Sequence, residues 1–270
     1  MQVASRQCLW DDTGFGTEVE VEMTPETGLF IRFGFWFAEE RPVKVRWGDG
    51  SVAEERTYRS GDVYVDHTFK SYGRYHVLFE NVRGLGFRVL DGQPQYAYDA
   101  AVRSVVDHSG MVERSLSACF KRAANLERVV LPGVTVFGQR DYAYCSKLRE
   151  VVAPDAEYFY DGTFEHCTEL ERLEFVGGTM WRSVFMGCTR LRELRFSRVD
   201  QISTRCFADT PNLVDIWIPD KTVDQIRQVA PTGNIVAGYN AKFPWDANAG
   251  CRFHGKDGTV RADGVVLERL

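Results

Sequence analysis

The middle of the chain repeats one pattern at nearly constant spacing: aromatic-x-x-small-x-x-Leu-x-x-apolar-x-apolar. The copies are Phe120/Ala123/Leu126/Val129/Leu131, Tyr142/Cys145/Leu148/Val151/Ala153, Phe164/Cys167/Leu170/Leu173/Phe175, Phe185/Cys188/Leu191/Leu194/Phe196 and Phe207/Thr210/Leu213/Ile216/Ile218. Successive leading aromatics lie 22, 22, 21 and 22 residues apart. A period of this length specifies a solenoid, because one repeat cannot bury its apolar face except against its neighbours. Solenoids mostly bind things, so the useful question is which face is free to bind.

Within a repeat, two apolar groups three residues apart predict one helical turn, and two apolar groups two apart predict a short strand. Pro132, Pro154 and Pro219 each end such a strand. Five residues before each leading aromatic from Tyr142 on comes a second apolar position: Phe137, Phe159, Met180, Ile202. Cys145, Cys167 and Cys188 share a slot that also takes Ala123 and Thr210. That substitution pattern describes a small buried packing site, in preference to a disulfide or a metal ligand, since a free thiol packs as a small hydrophobe. No CxxC pair or Cys/His cluster has metal-ligand spacing.

The first 90 residues read as β structure. Thr17–Met23 alternates polar and apolar, Leu29–Phe37 is apolar and aromatic, and Val43–Trp47 alternates again before the turn Gly48-Asp49-Gly50-Ser51. Val63–Phe69 and Tyr75–Phe79 complete the set. Short strands at this spacing suggest a sandwich. Asp49 is read as capping its own turn, with a calcium ligand as the alternative. Asp91-Gly92-Gln93-Pro94 breaks the pattern, and Val102–Val106 reads as a degenerate first rung. Beyond the repeats, Thr222 is placed as the N-cap of a helix through Val223, Ile226 and Val229, closed by Pro231-Thr232-Gly233. A hairpin over Cys251–Val260 turns at Gly255–Gly258, and Val265–Leu267 adds a last strand. This tail is expected to cap the stack.

Trp47-Gly48-Asp49-Gly50-Ser51, His67-Thr68-Phe69 and Tyr72-Gly73-x-Tyr75-x-Val77 resemble the polycystic-kidney-disease (PKD) domain pattern, with Phe69 where that family carries Tyr. The resemblance implies an immunoglobulin-like sandwich serving as a non-catalytic spacer or adhesion module. The repeats resemble the BspA-like leucine-rich repeat, whose consensus reads AFxxCxxLxxIxLP. That resemblance implies a right-handed solenoid for adhesion and recognition on bacterial surfaces or in phage-associated proteins. The expected fold is mainly β with short helical turns: a PKD-like sandwich over 1–90, a linker and degenerate repeat over 91–118, five repeats over 119–222 and a C-terminal cap over 223–270.

Outward positions follow from the strand alternation. Arg128, Glu150, Arg172 and Glu193 alternate in sign on neighbouring rungs before Asp215 adjoins Glu193. Glu127/Arg149/Glu171/Arg192 and Lys147/Glu169/Arg190 alternate too, and Glu174 faces Arg195. Such rows are a charged ligand surface or, as favoured here, cross-rung ion pairs that oppose a slip of register. The aromatics at outward positions are Tyr158, Tyr160, Trp181 and Trp217. They form either a ligand site or a surface covered by the N-terminal domain or the cap.

Catalysis has little support. No serine elbow, HExxH or P-loop occurs, the Asp11–Gly16 stretch is too short for a phosphate loop, and Asp107-His108-Ser109 are too close in sequence to form a triad. A net charge of −5 argues against a nucleic-acid partner. No apolar run approaches the ~18 residues of a membrane span. The opening segment lacks the apolar stretch of a signal peptide, so the sequence reads as not exported by that route or as lacking a removed leader. No catalytic residue, cofactor or metal is called for, and the oligomeric state is open. The expectation is a non-enzymatic recognition or adhesion protein with a protein or glycan ligand. A structural component of a phage particle is the alternative.

Overall fold

A computed structural model of the chain describes residues 16–37, 41–51, 54–58, 61–80, 82, 84–86, 100–115, 118–228, 247, 250–262 and 264–270. The segment Asp11–Gly14, the break at Asp91–Pro94, Val229 and the helix end at Pro231–Gly233 lie outside them.

Seven strands come first: β1 (Thr17–Met23), β2 (Phe30–Phe37), β3 (Arg41–Arg46), β4 (Glu54–Tyr58), β5 (Gly61–Thr68), β6 (Gly73–Glu80) and β7 (Gly84–Gly86). The alternation along β1 buries Thr17, Val19, Val21 and Met23 and leaves Glu18, Glu20 and Glu22 half-buried on the other face. The turn after β3 is fixed by Asp49, which accepts from the Ser51 amide at 3.0 Å and hydroxyl at 2.5 Å and meets His67 Nε2 at 2.8 Å. These bonds hold its carboxyl down to about 2 against a desolvation that pushes the other way. Trp47, buried, stacks on His67 at 4.4 Å. Gly48 has φ +78, and a Cβ there would meet the His76 carbonyl oxygen at 2.4 Å, so the motif requires glycine at that place.

β8 (Val102–Asp107) and β9 (Arg114–Ser115) follow, within the stretch where a linker and first rung are expected. β8 pairs antiparallel with β1 on one side and, on the other, parallel with the first regular rung strand, β10 (Arg128–Val130). β7 pairs antiparallel with β2 and parallel with β9. Both N-terminal sheets therefore run directly into the two strand faces of the solenoid, and one apolar cluster extends through both.

Each early rung places one short strand on each face. β10 is followed by β11 (Val136–Phe137), and β12 (Glu150–Val152) by β13 (Tyr158–Phe159). The third and fourth rungs instead carry one long strand around the corner: β14 (Arg172–Met180) and β15 (Glu193–Ile202). β16 (Asp215–Trp217), α1 (Val223–Gln228), β17 (Arg252–Gly255), β18 (Gly258–Arg261) and β19 (Val266–Arg269) complete the chain. β17 continues the parallel stack by pairing with β16, and the turn at Gly255–Gly258 sends β18 back antiparallel. Thr222 Oγ1 accepts from the Gln225 amide and Gln225 Oε1 accepts from the Thr222 amide, a reciprocal cap that starts α1.

The expected helical turns of the repeats are not helices. Each is a turn closed by amide-to-carbonyl bonds three residues apart, such as Cys145 N to Tyr142 O at 3.1 Å and Leu148 N to Cys145 O at 3.1 Å. Left-handed residues end them on both sides: Ala118, Arg140, Gly162, Ser183 and Arg205 two before the aromatic, and Arg122, Tyr144, His166, Gly187 and Asp209 two after it. A left-handed residue turns the chain out of a helix after a single turn.

The leading aromatics form a ladder inside the stack. Phe120, Tyr142, Phe164, Phe185 and Phe207 are fully buried. Their rings stack at 5.5, 5.7, 5.7 and 6.2 Å, with interplanar angles of 15° or less. Leu126, Leu148, Leu170, Leu191 and Leu213 are equally buried. The thiols of Cys145, Cys167 and Cys188 donate to the carbonyls of Phe120, Tyr142 and Phe164 on the preceding rung, at 3.0–3.1 Å. The slot is thus small, apolar and supplied with a weak donor that satisfies one turn carbonyl per rung. The cysteines among the described residues are buried and form no disulfide with one another.

Candidate binding faces

The second strand face carries the outward aromatics. β11, β13 and the second half of β14 lie in parallel register, with Tyr158 beside Val136 and Thr179. Phe159 and Met180 are buried, so strand alternation turns Tyr158, Tyr160 and Trp181 outward, where they are 45%, 46% and 38% exposed. Tyr160 and Trp181 lie parallel within 4°, centroids 6.2 Å apart. In the neighbouring rungs the register places Gly138 beside Tyr160 and Ser203 beside Trp181. Beside them, the Trp181–Arg182 stretch is tied to the second rung, where Asp161 Oδ1 accepts from the Arg182 amide at 2.9 Å.

Trp217 stands apart from those three. It lies on β16, on the first strand face, where it stacks on His254 at 4.0 Å and has the Arg195 guanidinium 4.9 Å above its ring. Its neighbourhood is polar. Asp215 accepts from Arg252 through both oxygens at 2.9 Å and meets His254 Nε2 at 2.7 Å. Burial works against that carboxylate, yet the His254 and Arg252 bonds win and hold its pKa below the usual range.

The first strand face is otherwise a field of ion pairs. Arg128 meets Glu150 at 2.9 Å, Arg172 meets Glu193 at 3.7 Å, and Arg190 meets Glu169 at 2.6 Å and Glu171 at 3.1 Å. Asp215, which adjoins Glu193 in sequence order of rungs, turns to Arg252 of β17, so the alternation continues into the C-terminal hairpin. Arg195 is beside Glu174 in register but pairs with Glu193 of its own strand at 2.6 Å.

A second aromatic column has no apolar periodicity to announce it. Tyr144, 39% exposed, stacks on His166 at 4.9 Å, with Arg122 5.8 Å from its ring. All three occupy left-handed positions, which no residue type here advertises.

Asp107, His108 and Ser109 form no catalytic set. Asp107 accepts from the Ser109 amide and hydroxyl and from the Val112 amide, while His108 faces Glu18 at 3.6 Å. Among the described residues no group of three or more His, Cys, Asp or Glu is placed to hold a metal. No helix among them is long and apolar enough to cross a membrane.

Stacked rungs, a buried aromatic ladder and a repeated leucine define a leucine-rich-repeat solenoid. Residues 116–232 match the model of the BspA type leucine rich repeat region in six copies, and this part of the chain is a repeat region of that type. The solved leucine rich repeat protein of T. pallidum is similar at 21% identity and a TM-score of 0.35. The match covers 51% of this chain and 59% of that one. No curated protein matches the chain.

Proposed function

We propose that this is a non-enzymatic recognition or adhesion protein whose repeats bind a protein or glycan through Tyr158, Tyr160 and Trp181. The observation that carries the reading is the parallel, exposed pair Tyr160–Trp181 between Gly138 and Ser203. Flat, exposed aromatic surface stacks on sugar rings or on apolar side chains at little entropic cost. Trp217 is a separate and lesser contact, because Arg195 and His254 occupy its ring faces and leave it to meet a ligand through its edge. The repeat-region match supports a protein-binding or adhesion role at the level of the repeat type.

We read the N-terminal strands as a PKD-like sandwich. The Trp47/Asp49/Gly50 turn supports this: its carboxylate bonds Ser51 and His67 and so holds the turn. We likewise read the strands and helix after residue 222 as a cap, since β17 to β19 continue the last rung of the stack.

The test is to probe the full chain on glycan and protein arrays and to titrate each hit. Tyr160→Ala/Trp181→Ala is expected to weaken binding at least tenfold, since aromatic anchors dominate interfaces at about 2 kcal/mol or more each. Trp217→Ala is expected to have a smaller effect. A double variant that binds every hit as tightly as the parent overturns the assignment.

A further inference from the structure

The position before the leading aromatic holds Cys119, Asp141, Thr163, Val184 and Cys206, and all five are buried. Only one of them is a carboxyl. Asp141 Oδ2 accepts from the Ser115 hydroxyl of β9 and from the Gly138 amide at 2.5 Å. Oδ1 makes no hydrogen bond among the described residues. The other groups that face the carboxyl are the amide and thiol of Cys119 in the first-rung turn and the phenol of Tyr142 in its own turn. None of these is a cation. The arginines adjacent in sequence turn away: Arg114 is exposed beside buried Ser115, and Arg140 reaches Glu165 at 3.7 Å.

This carboxyl is one peptide group away from the aromatic face. The Phe137 C=O and the Gly138 N–H belong to the same peptide plane. The N–H donates to Asp141, and the C=O accepts from the Tyr160 amide at 3.1 Å. Buried Thr163 ties the same two residues: its hydroxyl lies 2.8 Å from the Tyr160 carbonyl oxygen and 3.3 Å from that of Gly138. The joint that Asp141 bridges is slight. β9 and β11 have two residues each and share one paired position, Arg114 with Val136. A neutral acid fits a site without a cation. An anion there has two close donors and no counter-charge, so water must enter to solvate it.

We propose that Asp141 is a proton-operated latch on the Tyr160–Trp181 face, an inference that rests on the reading of that face as the binding site. Asp141 acts as a positioning residue. Protonated, it closes the joint between β9 and β11 and fixes the Phe137–Gly138 peptide that aligns Tyr160. Ionised, it opens the joint, frees that peptide and lowers the share of molecules able to bind. The face therefore takes its ligand best in acid. Burial keeps the closed carboxyl neutral up to about pH 7, whereas water entering the open joint returns it toward the ordinary 3.8. The closed form then loses ground about tenfold per pH unit between those two values and no further above the higher one.

The test reads amide exchange and binding in the full chain. The opening constant at the Gly138 and Tyr160 amides, corrected for the intrinsic exchange rate, is expected to rise about 100-fold from pH 5 to pH 8 and to level off there. The amides at the centre of β15 are expected to stay more protected throughout, which marks the opening as local. Asp141→Thr, which installs the third rung's residue, and Asp141→Asn are expected to remove the pH dependence. Array hits that depend on Tyr160 and Trp181 are expected to bind the parent at least about threefold more weakly at pH 8 than at pH 5, and Asp141→Thr equally at both. A flat exchange profile in the parent overturns the latch, whether or not the variants fold. So does protection at Gly138 and Tyr160 equal to that of β15, since the opening would then be global. Hits bound through Tyr160 and Trp181 with the same pH profile in parent and variants leave the face standing and remove the latch alone. If nothing binds through Tyr160 and Trp181, the reading of the face fails and the latch falls with it.

Discussion

The first two rungs and the next two turn their corners differently. Pro132 and Pro154 stand at the corners of the first pair, Val176 and Ser197 at those of the second. A proline has no N–H to donate to the previous rung and ends the strand before it. The first two rungs accordingly have short strands on each face. β14 and β15 run through the corner for nine and ten residues. The two geometries do not match where they meet, and the first-face ladder opens between β12 and β14. A solenoid with one period can thus contain a seam, set by one residue type at one position per rung.

The largest expected effect probes what crosses the seam. Phe164 stacks between Tyr142 and Phe185, one ring from each half. Phe164→Ala is expected to cost about 3–5 kcal/mol and to raise exchange in both halves, measured by denaturant unfolding and by hydrogen exchange. Loss of protection in one half alone would show that the ladder does not couple them.

A smaller effect probes the corner. Gly177 has φ +97, and a Cβ there would lie 2.0 Å from the Arg198 carbonyl oxygen. Gly177→Ala is expected to cost on the order of 3 kcal/mol, combining the strained backbone with displacement of the β15 corner. Pro154→Ala is expected to cost under about 1 kcal/mol, being an exposed loop position. Equal costs at the two corners would mean that the continuous strand has no special geometry.

The halves also differ at the position before the leading aromatic, which holds Asp141 in the second rung and Val184 in the fourth. Asp141 is fully buried. Burial pushes its pKa up to about 7, although Ser115 and the Gly138 amide donate to it. A carboxyl raised in the folded state adds stability below its unfolded value near 3.8, and that stability is lost as pH rises through about 7. The shift converts to a ceiling of about 4 kcal/mol. Asparagine removes the charge but brings an amide donor that costs about 1–3 kcal/mol if unpaired. That cost is the same at every pH, so it cancels between conditions, and Asp141→Asn is expected to gain up to about 4 kcal/mol at pH 8 relative to its effect at pH 4, read from melting curves at both. A gain independent of pH would remove the buried acid as its cause.

The repeat region was legible because its signal is periodic: each inward position recurs five times, and Pro132 and Pro154 mark strand ends directly. The seam was not legible, because it depends on how adjacent rungs fit and not on the content of either. The left-handed columns were hidden for another reason. Only Gly162 and Gly187 mark them; Arg140, Tyr144, His166 and Arg205 adopt the same backbone without a compositional sign. Tyr144 was missed on that account. For Tyr158, Tyr160 and Trp181 the strand alternation sufficed to place the rings outward, while their separation from Trp217 required the corner.

The smallest expected effect concerns the charge rows, and it separates the first rungs from the C-terminal hairpin. Arg128 and Glu150 are both about half exposed, and their pair at 2.9 Å is solvated on all outer sides. A double-mutant cycle to alanine is expected to give under about 0.5 kcal/mol of coupling there. Asp215 is less exposed, grips Arg252 through both oxygens and also meets His254. Its cycle with Arg252 is expected to give about 1 kcal/mol, since bidentate geometry limits the entropy lost per bond. The depressed carboxylate makes that contribution present at neutral pH and lost as pH falls below the usual aspartate range. The comparison has structural content because, among the described residues, β17 pairs with the repeats through β16 alone on this face. If the two cycles gave the same coupling, the rows would serve only to oppose slippage, and the hairpin would be held by Phe253 and its buried neighbours instead.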